Sequence, residues 1–136
     1  MITIDIEAEK KTIRKMVKNA FEVENHKNVD EIMDLGYYSE DCIAQIPNMP
    51  IVKGLEGARD FYKEYFKILE SIEGGSIEIF ISEAGDMAWD YGWNRTVLKG
   101  PNGTILDEGK YLEIFQKIDG KWKCVAISAS SDKPAT

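Results

Sequence analysis

The sequence predicts an α+β domain in which amphipathic helices cover one face of a curved antiparallel sheet. Strand-like segments follow one another at 86–98, 109–117 and 121–128. They are joined by Pro101-Asn102-Gly103 and by Ile118-Asp119-Gly120. Asn-Gly and Asp-Gly are the strongest local hairpin signals, because the turn needs residues that tolerate positive φ. Two long helical patterns precede this run, each with its apolar residues gathered on one stripe.

Residues 7–25 place Ile13, Met16, Val17, Ala20 and Phe21 on one stripe, while Lys10, Lys11, Lys15, Lys18 and Glu22 face away. Asn28 restarts the chain as a helix cap, with Glu31 three residues on, and this short helix ends near Leu35-Gly36. A strand at 42–46 stops at Pro47, which removes a ladder donor, and 49–53 reads as a short return strand. Gly54 opens the third helix. Its stripe of Leu55, Ala58, Phe61, Tyr62, Tyr65, Phe66, Leu69 and Ile72 runs to Gly74-Gly75. Residues 76–82 form the next strand and turn at 83–86. The predicted order is α-α-β-β-α-β-β-β-β in a single domain over 1–136, with 1–5 and 131–136 expected to fray.

Of 136 residues, 43% are apolar and 30% charged, and the net charge is −7. That balance argues against nucleic acid or an anionic membrane as partner, since either needs a basic face. The four lysines near the start alternate with Glu7, Glu9 and Glu22 and read as one solvated helix face. No apolar run is long enough to span a bilayer, and the first residues lack the pattern of a signal peptide, so a cytoplasmic location is expected. Cys42 and Cys124 are expected as buried, reduced thiols, and His26 as an exposed residue at a helix end. No His, Cys or carboxylate grouping has metal-ligand spacing, and Gly54-Leu-Glu-Gly57 lacks the Lys of a phosphate loop. No metal or cofactor is expected.

Several local runs carry a family resemblance. They are Asn28-Val-Asp30, the strand into Pro47, Gly54-Leu-Glu-Gly-Ala-Arg-Asp-Phe-Tyr62, Gly85-Asp-Met-Ala-Trp-Asp-Tyr-Gly92, Glu108-Gly-Lys-Tyr111 and Asp119-Gly-Lys-Trp-Lys123. In this order they resemble the nuclear transport factor 2-like superfamily, and within it the SnoaL-like and ketosteroid-isomerase-like small proteins. The resemblance implies a cone-shaped sheet with a pocket between sheet and helices, and dimerisation through the outer sheet surface. It places the isomerase's carboxylate base at Ile46, a helical Tyr near Ala20 and an oxyanion-binding carboxyl near Leu112. A related branch's last-strand Asp falls on Ile127, and only Phe61-Tyr62 match the isomerase's aromatic pair. Aliphatic side chains cannot exchange protons, so the isomerase acid–base set is not retained.

Trp89, Tyr91, Trp93 and Arg95 recur at every second residue and share one face of their strand. The superfamily pattern turns that face into the pocket. This implies an aromatic wall with Arg95 at the rim for a carboxylate, completed by Ile46, Phe61, Tyr62, Tyr65 and Ile127. The plainer reading is core packing, with Arg95 snorkelling outward. Tyr111, Glu113 and Phe115 are then expected on the outer face, continuing through Cys124, Ala126 and Ser128 as a homodimer surface. A register slip of one residue would instead carry Glu113 into the pocket as the acid–base candidate. The function expected is a pocket for a hydrophobic or carboxylate-bearing small molecule, with any reaction limited to isomerase-, cyclase- or hydratase-type acid–base chemistry. The alternative is a non-catalytic homodimerisation module with a vestigial cavity.

Overall fold

The computed structural model describes residues 3–134. The elements are α1 (Ile6–Glu24), α2 (Val29–Asp34), β1 (Tyr38–Gln45), β2 (Val52–Lys53), α3 (Gly54–Ile68), β3 (Leu69–Ile81), β4 (Met87–Gly100), β5 (Gly103–Ile118) and β6 (Lys121–Ser131). Their order is the predicted one. The six strands form one sheet in the order β2-β1-β6-β5-β4-β3, curved but unclosed. It is mixed rather than antiparallel, because β1 runs parallel to β6.

Caps and turns follow local chemistry. Asp5 accepts a hydrogen bond from Ala8 N at 3.0 Å to start α1, and Asn28 accepts from Glu31 N at 3.0 Å to start α2. The β5–β6 hairpin turns on Asp119 and Gly120, both at positive φ. Glu9 straps α1 over that hairpin: its carboxylate accepts from Lys117 Nζ at 2.7 Å and from Trp122 Nε1 at 2.8 Å.

Several boundaries differ from the expectation. Helix α3 ends at Ile68, and Leu69 turns extended with ψ 125°. Leu69 and Ile72 are buried as strand residues, so the helical stripe overran because β3 feeds the same core that α3 faces. Of residues 49–53 only Val52 and Lys53 pair in the sheet. Fraying was expected at 1–5 and 131–136. Residues 1–2 and 135–136 lie outside the described residues, whereas Asp5 caps α1 and Ser131 pairs with Gly109.

The faces of β4 and β5 are the reverse of those expected from the sequence. Trp89, Tyr91 and Trp93 point away from the helices, with 44%, 39% and 43% of their surfaces exposed, and Arg95 reaches Glu73 on the same outer side at 3.6 Å. The inner face of β4 is formed by Ala88, Asp90, Gly92 and Thr96 instead. Opposite them β5 places Phe115, Glu113 and Tyr111 inward, paired as Ala88 with Phe115, Asp90 with Glu113 and Gly92 with Tyr111. The cause is size. A β-carbon on Gly92 would lie 2.4 Å from Tyr111 Oη and 2.2 Å from the Gly75 carbonyl oxygen, so the Tyr111 ring occupies the space above Gly92. An indole on that side would meet α1, whose Phe21 already fills the place of a side chain at Gly74. Cys124 is buried with Phe115 on the inner face, but a bulge between Ile114 and Phe115 turns Ala126 and Ser128 outward beside Ile114 and Leu112.

A Gly92→Ala substitution should therefore overpack the inner face. It is expected to cost about 1–3 kcal/mol. On thermal unfolding that is a fall of roughly 3–10 °C, and an unchanged Tm would contradict the packing.

Candidate functional site

Helix periodicity builds two walls of a cavity of about 1070 Å³ between sheet and helices. From α1 come Val17, Ala20, Phe21 and Glu24, and from α3 Ala58, Phe61, Tyr62 and Tyr65, each set spaced i, i+3, i+4, i+7. Strands β4, β5 and β6 add Asn94, Thr96, Tyr111, Glu113 and Ile127. The stretch after β1, including Ile46, lines the cavity as well.

Of the residues singled out in the sequence, Ile46, Phe61, Tyr62, Tyr65 and Ile127 border this cavity, whereas Trp89, Tyr91, Trp93 and Arg95 do not. The expectation of an aromatic β4 wall with a guanidinium at its rim is corrected accordingly, because the strand presents its other parity. Ala20 and Ile46 stand in the cavity as aliphatic groups, and Leu112 faces outward. Glu24, Tyr37 and Tyr38 were not anticipated. Glu24 did leave a signal: it continues the apolar stripe 13, 17, 20 and 21 as a lone carboxylate.

Two groups of polar side chains result. The first surrounds Glu24, the last residue of α1. Its neighbour Asn25 fixes that end of the helix to β3, donating to Ile72 O and accepting from Ile72 N, both at 2.8 Å. Tyr62 Oη lies 3.5 Å from Glu24 Oε1, and the Tyr38 and Tyr62 hydroxyls are 2.7 Å apart. Phe61 and Tyr65 stack at 5.1 Å beside them. Burial raises the Glu24 carboxyl from 4.5 to about 7, and the contact with Tyr62 offsets only part of that rise.

The second group is the cavity floor. Tyr37 Oη donates to Glu113 Oε1 at 2.5 Å, and Glu113 faces Asp90 across the β4–β5 ladder. Ser76 Oγ donates to Asp90 Oδ2 at 3.2 Å, while Asp90 Oδ1 has no partner among the described residues. Glu113 is 2% exposed and Asp90 fully buried. Burial pushes both carboxyls up, Glu113 far above the usual range, with the neighbouring Asp90 charge adding to the rise. Two adjacent buried carboxylates repel, so Glu113, raised far above the usual range, keeps its proton at neutral pH, while the Arg14 charge on α1 works against the rise at Asp90.

No Lys, Arg or His lies within 4.0 Å of Glu24, Asp90 or Glu113 among the described residues. Nor do these residues gather three His, Cys, Asp or Glu side chains that could hold a metal ion. Cys42 and Cys124 are buried free thiols. No helix among the described residues is long and apolar enough to cross a membrane.

No family model matches the sequence, and no curated protein matches it. Solved structures do. A ketosteroid isomerase-like protein from Erwinia carotovora atroseptica superposes with a TM-score of 0.75 at 16% identity, covering 95% of each chain. A nuclear transport factor 2-like superfamily protein from Salmonella enterica gives 0.79 at 14%, covering 96% of this chain and 95% of that one. A conserved protein from Planctomyces limnophilus gives 0.75 at 16%, covering 92% and 98%. At such identities the likeness speaks for architecture, which is that of the ketosteroid-isomerase-like small proteins: the chain has the nuclear transport factor 2-like fold.

Proposed function

We propose that this protein binds a small, largely apolar molecule in the cavity between sheet and helices, with Glu24 as the group that exchanges a proton with it. One observation carries the reading: a carboxyl balanced near neutrality projects into an aromatic-walled cavity, beside hydroxyl groups, with no cation to hold it ionised. A group balanced near the working pH is suited to acid–base transfer. The neighbouring hydroxyls of Tyr38 and Tyr62 supply hydrogen-bond partners for a ligand oxygen or nitrogen. A carboxylate on the ligand is no longer favoured, since Arg95 lies on the other side of the sheet.

The outer face favours a second, compatible role. Phe80 and Trp89 stack at 3.9 Å there, beside exposed Tyr91, Trp93 and Leu112. Pairs of opposite charge flank them, Arg95 with Glu73 and Lys110 with Asp132. A patch this apolar with a mixed-charge rim suits a two-fold contact with a second copy, where each rim meets its own complement.

Three outcomes test these readings. Filling the cavity with Ala20→Trp should abolish any ligand-induced thermal shift found in a metabolite screen; shifts that persist would place binding elsewhere. Light scattering after size exclusion should give twice 15.4 kDa for the wild type and one chain for Trp93→Glu, and a wild-type monomer at micromolar concentration would refute the dimer. Glu24 should also leave a mark on stability. Its folded carboxyl is raised, so its contribution is full below the unfolded value of 4.5 and is lost as pH climbs through about 7. Glu24→Gln, always neutral, should gain in Tm over the wild type on going from acid to mildly alkaline pH, whereas a constant difference would mean Glu24 titrates normally.

A further inference from the structure

The cavity's charge is one-sided. Five carboxyl side chains border it, Glu24, Asp60, Glu64, Asp107 and Glu113, against the single amine of Lys133 among the described residues. Some are already satisfied: Glu64 pairs with Lys67 at 3.1 Å, and Asp107 accepts from Ser131 Oγ at 2.6 Å. Glu113 is engaged by Tyr37 and Asp90. Glu24 is different, because only hydroxyl groups face it.

The second observation is the wall around that carboxyl. Phe61 and Tyr65 are stacked, Tyr62 packs edge-on to Phe61 at 5.4 Å, and Tyr38 closes the side from β1. Aromatic faces attract cations, more strongly when water is excluded. Deeper in, Tyr111 lines the same cavity with 4% of its surface exposed, and its hydroxyl has no partner among the described residues.

We infer that the cavity is built for an organic cation, a primary or substituted ammonium on an apolar body, whose charged head sits against Glu24 inside the Tyr38–Phe61–Tyr62–Tyr65 wall. This rests on the binding role proposed above and names the ligand class for it. The alternatives fit less well. An anion would enter a field of carboxylates, and a neutral molecule would gain no charge-assisted contact from Glu24, which stays protonated beside it. An ammonium instead gives the carboxylate a partner in a low-dielectric site, where charge-assisted hydrogen bonds are strongest.

Binding and protonation are then linked. The titratable groups facing Glu24 are Tyr38 of β1 and Tyr62 and Tyr65 of α3, with Asp107 of β5 beyond Tyr65. None of these is cationic. Because the Glu24 carboxyl sits near neutrality, a cation that binds the carboxylate must displace its proton, so affinity rises with pH through that point and levels off above it.

Three probes of one size and different charge test this by titration calorimetry: 3-phenylpropylammonium, 3-phenylpropanol and 3-phenylpropanoate. For the wild type at mildly alkaline pH the ammonium should bind about tenfold or more tightly than the alcohol. Its affinity should fall severalfold on acidification across neutrality, and Glu24→Gln should lose most of the preference. Two results would overturn the inference while leaving the pocket in place: the alcohol or the propanoate binding at least as tightly as the ammonium, or ammonium affinity independent of pH and of Glu24→Gln. Saturation by none of the three at millimolar concentration would overturn the pocket itself. The pH series needs only the wild-type protein, so it decides even if the variant folds poorly.

Discussion

The Tyr111 ring sits where a side chain on Gly92 would be, and the facing of two central strands follows from that contact. Because a strand's side chains alternate, fixing one residue inward fixes its neighbours two and four along. Tyr111 inward brings Glu113 and Phe115 with it, and Gly92 inward brings Ala88, Asp90 and Thr96. Large residues on β5 thus meet small ones on β4, and Phe21 of α1 packs against the Tyr111 ring at 6.0 Å. The indoles of Trp89 and Trp93 must then lie on the outer side.

The same facing creates the electrostatics of the interior. Asp90 and Glu113 are carried into the core with no cation in direct contact, and they stay there because Glu113 keeps its proton, Ser76 and Tyr37 donate hydrogen bonds to them, and Arg14 lowers the cost of charge at Asp90. Glu24 reaches the cavity by a different route. It occupies the last turn of a helix whose earlier turns supply Ile13 and Val17 to the core, and Asn25 fastens that turn to β3. One fold thereby holds two carboxyl sites of unlike character: a hydrogen-bonded pair at the cavity floor, and a single group faced only by hydroxyls.

Much of this was legible in the sequence. The element order, the cap at Asn28, the Asp119-Gly120 turn and the aromatic stripe of α3 all express short-range rules that residues obey locally. What local pattern could not show was which face of β4 turns inward. Alternation in Trp89-Asp-Tyr-Gly-Trp93 suggests that the apolar residues are inside, the ordinary rule for a sheet with one wet face. The opposite holds because α1 and Tyr111 leave no room, and that depends on residues far away in the chain. Glycine at 92, directly opposite a tyrosine, was the clue available. Likewise Leu69 and Ile72 fit a helical stripe as well as a strand, and only pairing with β4 distinguishes them.

Two carboxyl groups are thus buried with no cation in contact, Glu113 through the facing of β5 and Glu24 through the last turn of α1. Carboxyl carbon NMR across a pH titration tests this burial most directly. Glu24 should titrate near neutrality, and Glu113 should keep its proton well above the usual range. Both groups titrating as ordinary glutamates, near about 4.3, would mean that neither is buried away from water, contradicting the inward facing of Glu113 and the desolvated site of Glu24.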